Sequence, residues 1–258
     1  MCIVCKWNSG EEKVDLNIKK LDCSDCRALT SIPTLPELTS LDCINCRALT
    51  SIPVFPNLEY LDCACTALTG IPILPKLKKL FCEGCNSLTS IPTLPELASL
   101  DCINCTALTS IPVLPNLEFL DCHHCRALTS IPVMPKLEIL DCENCTSLTT
   151  ISVLPNLEEL DCSGCTGLTS IPVLPKLNML FCENCTILTA ISALPGLYDC
   201  KGCKWFQECD DFDRNIKSLR SCQSIFKRKL TARKLERVIP VITEIYYSPG
   251  CKGEYLAG

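Results

Sequence analysis

The amino-acid sequence predicts a solenoid, a fold in which similar turns of chain stack along one axis. Two observations lead to this prediction. A unit of 19 or 20 residues recurs nine times, from the copy that begins at Leu21 to the copy that begins at Leu180. Eight of the ten Cys-x-x-Cys pairs in the chain fall at the same position of this unit. A repeat of this length forms one structural turn that buries its apolar edge against its neighbours.

Each unit is predicted to contain a short strand followed by an extended return arm. In one copy, Leu41 and Cys43 are two residues apart, so they lie on the same face of a strand. The apolar residues that follow recur at every third position, and Pro53 and Pro56 remove backbone donors there. Prolines and a spacing of three favour an extended or 3₁₀-like arm over an α-helix.

The unit resembles a leucine-rich repeat. The frame L-x-x-L-x-C-x-x-C, from Leu38 to Cys46, is similar to that repeat with cysteine at its asparagine-ladder position, and L-T-S-I-P-x-L-P resembles the short bacterial return arm. Over residues 16 to 203, the resemblance implies an α/β-type repeat: a right-handed solenoid with a parallel β-sheet on its concave face. Most members of the family are binding scaffolds without catalysis. The repeat and the tail Ile239 to Leu256 together resemble leucine-rich-repeat proteins of giant DNA viruses.

The chain is predicted to divide into three regions. Residues 1–20 form an N-terminal cap, residues 21–203 form the solenoid, and residues 204–258 form a basic helical C-terminal cap. From Phe212 to Ile239, apolar residues recur at helical intervals, which predicts one or two amphipathic helices. Nine basic residues and one acidic residue lie between Arg214 and Arg237, so this region suits an acidic partner. Self-association through it is a minor hypothesis, and nucleic acid is not favoured.

Composition predicts an intracellular, reducing location, which would be the host cytoplasm for a viral protein. The N-terminal sequence MCIVCKWNSGEEK has no apolar segment of signal-peptide length. The chain contains 25 cysteines in 258 residues, and in a reducing compartment these are thiols or metal ligands rather than disulfides. The sequence contains no run of 18 apolar residues, so it predicts no membrane span.

The repeated cysteines allow two interpretations. As small apolar groups, they would fill the core, where cysteine is common. However, neither cysteine is replaced in any copy if Cys63 and Cys65 are taken as a shortened pair, whereas leucine and proline positions do vary. This uniformity favours metal ligation over packing.

Pairing consecutive turns predicts five four-thiolate metal sites. The spacing Cys-x2-Cys-x16-Cys-x2-Cys is typical of metal sites, and neighbouring strands lie about 4.8 Å apart. The predicted sites are Cys23, Cys26, Cys43 and Cys46; Cys63, Cys65, Cys82 and Cys85; Cys102, Cys105, Cys122 and Cys125; Cys142, Cys145, Cys162 and Cys165; and Cys182, Cys185, Cys200 and Cys203.

Thiolate ligands leave zinc, iron-sulfur clusters or Cu(I) as candidate cofactors. A row of about five sites favours 4Fe-4S clusters slightly over zinc, and such a row would serve electron transfer or storage with an electron-transfer partner. Cys2, Cys5, Cys209, Cys222 and Cys251 receive no role from the sequence.

The solvent-facing side of the predicted sheet suggests an alternative function, a metal-free scaffold that binds a protein partner. One position per turn there is acidic or aromatic, and Tyr60 and Phe119 would add further aromatic anchors. The candidate partner-binding residues are Asp22, Asp42, Asp62, Phe81, Asp101, Asp121, Asp141, Asp161 and Phe181. The aspartates could equally form a solvated ladder that caps the strand ends.

Catalysis finds no support in the sequence. There is no Ser/His/Asp set and no glycine-rich phosphate loop after a strand. The two histidines, His123 and His124, lie between paired cysteines, where a surface position is a better prediction than metal ligation. The protein is therefore predicted not to be an enzyme.

Overall fold

The computed structural model describes residues 2–188, 190–191 and 197–199. The chain begins with helix α1, Ile3–Ser9, which buries Val4 and Trp7. Gly10 ends the helix at φ 78°, a left-handed conformation in which its N–H bonds the last carbonyls of the helix. Through Val4 and Trp7, helix α1 packs onto the core of the first turn.

Ten three-residue strands form one parallel sheet, as the sequence predicts, with each strand paired to the strand of the next turn. The register aligns equivalent positions, so that Leu41 pairs with Leu61 and Asp42 with Asp62. In strands β1 to β12 of this sheet, the central residue is a buried leucine. The strands are β1 Lys20–Asp22, β2 Ser40–Asp42, β3 Tyr60–Asp62, β4 Lys79–Phe81, β5 Ser99–Asp101, β6 Phe119–Asp121, β8 Ile139–Asp141, β10 Glu159–Asp161, β12 Met179–Phe181 and β14 Leu197–Asp199.

The return arms are extended, and some of them pair with each other. Strands β7 (Ser130–Ile131) and β9 (Thr150–Ile151) form one two-stranded parallel sheet, and β11 (Ser170–Ile171) and β13 (Ala190–Ile191) form another. Tight turns close the arms, as in the bond from the Leu38 N–H to the Leu35 carbonyl at 3.2 Å. The described arms contain single turns of this kind and no 3₁₀ helix, because proline prevents the repeated bonds that a helix needs.

The core is a stack of columns, with the same positions buried in every described turn. In the second turn, Leu41, Cys43, Cys46, Leu49 and Phe55 are all fully buried. Each column continues through equivalent leucine, isoleucine and cysteine residues of the neighbouring turns. Burial of one leucine side chain stabilises a fold by about 1.5–3 kcal/mol, so the turns stabilise one another through these columns.

One position in each turn adopts the left-handed backbone conformation. It is the second residue between the paired cysteines, and its N–H bonds a carbonyl of the next turn, as from Asn45 to Ala64 at 2.9 Å. Asparagine, aspartate and glycine suit this conformation, whereas other side chains are strained in it. The residues are Asp25, Asn45, Cys65, Gly84, Asn104, His124, Asn144, Gly164 and Asn184, with φ between 56° and 69°.

The third turn corrects the predicted pairing of Cys63 with Cys65. Cys65 is exposed and lies at the left-handed position, with φ 56°. The next residue, Thr66, is 5% exposed and occupies the inward position that the second cysteine holds in other turns. The missing residue of this copy is thus lost after Thr66, not between two cysteines. One inward cysteine is therefore replaced, contrary to the sequence-based premise that none is.

Several predictions fall outside the described residues. These are the cysteines Cys200 and Cys203, the amphipathic helices between Phe212 and Ile239, and the basic stretch from Arg214 to Arg237. The limits of the two caps and the solenoid stay predictions. Among the described residues, no helix has the length and apolar character needed to cross a membrane.

Candidate functional site

In seven described turns, the second cysteine of the pair forms a hydrogen-bonded ladder along the core. Its thiol donates to the backbone carbonyl of the first cysteine in the preceding turn. The Sγ to oxygen distances are 3.1 Å for Cys46 to Cys23, Cys85 to Cys63, Cys105 to Cys82, Cys145 to Cys122 and Cys165 to Cys142, and 3.0 Å for Cys125 to Cys102 and Cys185 to Cys162. Each thiol therefore joins two turns through the protein backbone.

The first cysteine of five turns points toward the next turn instead; these are Cys23, Cys43, Cys63, Cys82 and Cys142. Its thiol approaches the carbonyl at the end of the following strand, at 3.4 Å from Cys43 to Asp62 and 3.2 Å from Cys142 to Asp161. The same carbonyl also accepts the backbone N–H of that cysteine, at 2.8 Å in both turns. The two thiols of a pair thus bond carbonyls of opposite neighbours, one behind and one ahead.

This arrangement does not bring the predicted metal ligands together. Among the described residues, none of the predicted quartets has even three sulfurs within 4.8 Å of one another. The reason is orientation: strand spacing stacks the cysteines, but most of the thiols are directed at carbonyls rather than at a shared centre. The residues therefore do not fit a cluster or a zinc ion at these positions. The fifth quartet includes Cys200 and Cys203 and lies partly outside the described residues.

Several core thiols, mainly first cysteines of the pairs, have a raised pKa, which favours their protonated form. Hydrogen bonding to Cys125, followed by burial, raises the pKa of Cys102 well above its ordinary value, and the same causes act on Cys122 through Cys145. A thiol must lose its proton to ligate a metal or attack a substrate. Protonated, buried thiols act as hydrogen-bond donors and apolar filling.

Cys85 differs from Cys102 and Cys122 because its pKa is lowered, and Thr66 is part of the cause. Hydrogen bonding with Cys63, and to a smaller extent with Thr66, lowers the pKa of Cys85 to about 7, against the opposing effect of burial. The Thr66 hydroxyl lies 3.2 Å from Cys85 Sγ and donates to the Cys63 carbonyl at 2.8 Å. The shortened turn therefore creates a local polar site inside the ladder.

Three thiols meet at the N-terminal end of the solenoid. Cys2 Sγ lies 3.6 Å from Cys5 Sγ, and Cys5 Sγ lies 3.2 Å from Cys26 Sγ. Cys26 was predicted to join Cys23, Cys43 and Cys46, but it contacts helix α1 instead. Hydrogen bonding to Cys26 raises the pKa of Cys5 to about 12, and burial adds to this shift. For Cys26 itself, burial raises the pKa, but hydrogen bonds from Cys5 and Cys2 outweigh it and lower the pKa.

The aspartates of the sheet face cap the turns that follow the strands. In each case, the carboxylate Oδ1 accepts the N–H of the second following residue. The distances are 3.0 Å for Asp22 and Asp141, 3.4 Å for Asp42, 3.2 Å for Asp62, Asp101 and Asp121, and 2.9 Å for Asp161. The sequence left this capping role open as an alternative to partner binding, and a single oxygen of each carboxylate fulfils it.

Charge accumulates along this column because the aspartates stack in register. From Asp42 to Asp161 they are partly buried. Burial, followed by repulsion from neighbouring carboxylates, raises the pKa of Asp62, Asp101 and Asp141 in spite of their capping bonds. A cation placed against the column would relieve this repulsion.

Two of the four predicted aromatic anchors are brought together. Tyr60 on β3 and Phe81 on β4 have ring centroids 5.6 Å apart, with an angle of 41° between the ring planes. Phe119 on β6 and Phe181 on β12 belong to other turns, and Phe181 is 36% exposed. The sheet face thus has one aromatic pair beside a longer acidic column.

The two histidines differ in their surroundings. His123 Nδ1 lies 2.8 Å from Asp121 Oδ1, and both residues lie close to Asp141. His124 has the left-handed backbone conformation, and its buried Nδ1 has no hydrogen-bond partner. Both side chains are partly buried and partly exposed, and their surface position stays a prediction.

Two stretches of the chain, residues 56–96 and 115–156, match a family model described as leucine rich repeats in two copies. The leucine-rich-repeat domain of the type III effector XopL is 24% identical over 61% of this chain and 70% of its own, with a TM-score of 0.38. YopM from Yersinia enterocolitica is 19% identical over 75% of this chain and 58% of its own, with a TM-score of 0.39. The functional domain of InlJ from Listeria monocytogenes, which includes a cysteine ladder, is 20% identical over 72% of this chain and 61% of its own, with a TM-score of 0.23. No curated protein matches the sequence.

Proposed function

Because the chain belongs to the leucine-rich-repeat family, we propose that it is a non-catalytic scaffold whose sheet face binds a cationic segment of a partner protein. The observation that carries this proposal is the column of aspartates in register on the solvent-facing side of the parallel sheet. Four consecutive turns contribute to its longest uninterrupted part, through Asp101, Asp121, Asp141 and Asp161.

The geometry of this column suits an extended basic segment. Neighbouring strands lie about 4.8 Å apart, so the four carboxylates span roughly 14 Å. One oxygen of each carboxylate accepts a backbone N–H, as in the bond from Ile103 to Asp101 at 3.2 Å. Hydrogen bonding of this kind fixes the orientation of the carboxylate, which reduces the entropy lost when lysine or arginine binds. Such pairs contribute mainly specificity and association rate.

The aromatic pair extends the surface at one end of the column. Phe81 replaces the aspartate of its turn and lies between Asp62 and Asp101 along the sheet. Tyr60 contacts Phe81 from the neighbouring strand, so the two rings form one apolar patch beside charged groups. An apolar or aromatic side chain of the partner would bury this patch, which is the usual anchor of a protein interface.

The other sequence-based hypotheses receive less support. The arrangement of the thiols does not favour an iron-sulfur or zinc array, and with it the electron-transfer role loses its basis. The cofactor, the reducing intracellular location, self-association and the viral resemblance stay predictions. None of them is needed for binding through the sheet face.

A charge-removal experiment tests the proposal. The double variant Asp101→Asn/Asp121→Asn removes two charges, and the asparagine side chains retain an oxygen that can accept the capping N–H groups. The matched control Glu37→Gln/Glu96→Gln removes two charges from exposed return-arm positions. The probe is a fluorescent peptide of alternating lysine and valine, with binding followed by anisotropy at low and high salt.

The proposal predicts that the aspartate variant weakens peptide binding by about tenfold and flattens its salt dependence, because ion pairs at this face are screened by salt. The control variant retains wild-type affinity. Equal losses in both variants would indicate a non-specific effect of net charge and would contradict the proposal. Unchanged binding in the aspartate variant would contradict it as well.

A further inference from the structure

The three thiols at the N-terminal end form a compact group that the core ladder does not include. Cys2 precedes helix α1, Cys5 lies in its first turn, and Cys26 comes from the first turn of the solenoid. Their Sγ atoms all lie within 4.8 Å of one another. All three residues are partly buried and pack against the edge of the core.

The position of Cys26 follows from its place at the end of the stack. In later turns, the second cysteine donates to the carbonyl of the first cysteine in the preceding turn, as Cys46 does to Cys23 at 3.1 Å. The first turn has no preceding turn, so Cys26 has no equivalent carbonyl to bond. Helix α1 covers this end of the solenoid, and Cys5 of the helix and Cys2 just before it bring their thiols close to Cys26. Cys26 therefore contacts sulfur atoms, whereas the equivalent cysteine of the next turn, Cys46, bonds a carbonyl oxygen.

We propose that Cys2, Cys5 and Cys26 bind one zinc ion through three thiolates. A zinc to sulfur distance near 2.3 Å requires the sulfurs of a tetrahedral site to lie about 3.8 Å apart. The distances here are 3.6 Å between Cys2 and Cys5 and 3.2 Å between Cys5 and Cys26. The third pair, Cys2 and Cys26, lies within 4.8 Å, so shifts of at most about 1 Å, within the freedom of side-chain rotation, would bring the three sulfurs to that spacing.

The ligand types and the exposure of the group define the kind of site. Three thiolates with no carboxylate favour a soft or borderline cation such as zinc and disfavour magnesium or calcium. Three protein ligands leave the fourth tetrahedral position for water, which partial burial permits. Cys23 does not supply this ligand, because its thiol points away to the Asp42 carbonyl at 3.4 Å.

The site would fix the N-terminal cap to the solenoid. Helix α1 has seven residues, and a helix of this length is marginal without tertiary contacts. A metal bound by Cys2 and Cys5 on one side and Cys26 on the other joins the helix to the first turn. Because binding requires the folded arrangement, zinc binding adds to the stability of this end.

Metal titration of the full chain tests the site. Reduced, metal-free protein is titrated with zinc, and with Co(II) as a spectroscopic probe of thiolate coordination. The wild type is expected to bind one equivalent tightly and to show cobalt-thiolate charge-transfer absorption. Cys5→Ser and, separately, Cys2→Ser are expected to weaken binding at least tenfold, in line with the loss of one ligand. The matched control Cys65→Ser alters an exposed thiol outside the group and should bind like the wild type.

Circular dichroism of each variant separates loss of the site from loss of the fold. Cys2 lies outside helix α1, so Cys2→Ser keeps the helical residues intact if Cys5→Ser does not fold. Three results would overturn the proposal. Fully reduced wild-type protein that binds no zinc would do so. Equal zinc binding in wild type and in folded Cys2→Ser would do so too. The third such result would be tight zinc binding that is lost in Cys105→Ser but kept in Cys2→Ser and Cys5→Ser.

Discussion

The Thr66 hydroxyl lies 3.2 Å from Cys85 Sγ, at the inward position that cysteine occupies in the neighbouring turns. It also donates to the Cys63 carbonyl at 2.8 Å. A hydroxyl at this position therefore donates a hydrogen bond inside the core as the thiols do, but to the carbonyl of its own turn rather than to that of the preceding turn. What the position selects is a small side chain that donates a hydrogen bond inside the core, and this explains the cysteine column without a metal.

Substitutions of Thr66 test this requirement. Thr66→Val keeps the shape and removes the hydroxyl, so we expect the free energy of unfolding to fall by about 1 kcal/mol, the net value of one hydrogen bond. Thr66→Cys restores the residue of the other turns and should change stability by less than this. Chemical denaturation followed by circular dichroism measures both. If Thr66→Val left the free energy of unfolding unchanged and Thr66→Cys lowered it strongly, the position would not require a hydrogen-bond donor.

The hydrogen-bonded cysteine ladder predicts a modest loss of stability when one thiol is removed. Cys105→Ala removes one donor to the Cys82 carbonyl, which retains the N–H of Cys85 at 3.2 Å. We expect a loss of about 1–2 kcal/mol from the hydrogen bond and the small cavity. The control Cys65→Ala alters an exposed side chain and should cost about 0.5 kcal/mol or less. Unfolding of several turns by Cys105→Ala alone would instead indicate a ligand to a structural metal.

The position of each turn that has the left-handed backbone conformation predicts stabilising substitutions. Cys65 and His124 have φ of 56° and 60°, where a side chain other than asparagine, aspartate or glycine costs roughly 1 kcal/mol. Cys65→Asn and His124→Asn should therefore raise the melting temperature. The reverse change, Asn104→Ala, should lower it, because Asn104 has the same conformation at φ 56°. Melting temperatures that do not move in these opposite directions would contradict the assignment of strain to this position.

The acidic column predicts a pH dependence of stability. The pKa of Asp141 is raised above its ordinary value of 3.8, mainly by burial, so the folded state binds its proton more tightly than the unfolded state. Stability from this group is present below the unfolded pKa and is lost as pH rises through the folded pKa. Asp141→Asn should remove that loss and raise stability at neutral pH by up to about 1 kcal/mol.

Asp22 provides a control of opposite sign. Hydrogen bonds from the backbone and side chain of Ser24 lower the pKa of Asp22, so its contribution is present at neutral pH and is lost as pH falls through the folded value. Asp22→Asn should therefore reduce stability at neutral pH relative to acid. Denaturation series at acidic and neutral pH measure both variants. The same sign of effect in both would contradict the pKa directions.

Much of the fold was predictable because the repeat constrains it strongly. The two-residue step from Leu41 to Cys43 places both side chains inward, and the prolines of the return arm exclude a helix there. The orientation of the thiols was not predictable, since the same spacing allows sulfurs to converge on one centre or to bond separate carbonyls. The choice between these arrangements depends on where the backbone carbonyl oxygens of neighbouring turns lie, and the sequence does not give those positions.

Two details had a signal in the sequence that the pattern of cysteines obscured. Asn45 and its equivalents repeat asparagine, aspartate or glycine before the second cysteine, which indicates a left-handed residue. That column aligns Cys65 with Asn45 and Thr66 with Cys46, and so places the missing residue of the third turn correctly. The contact of Cys26 with Cys5 is an end effect, which a repeat pattern alone does not reveal.

Metal and acid-labile sulfide analysis of anaerobically purified protein is the most direct test of the hydrogen-bonded cysteine ladder. The structure predicts no acid-labile sulfide and at most one zinc ion per chain, bound at Cys2, Cys5 and Cys26. About four irons with matching sulfide for each set of four paired cysteines would contradict it, and so would about one zinc for each such set.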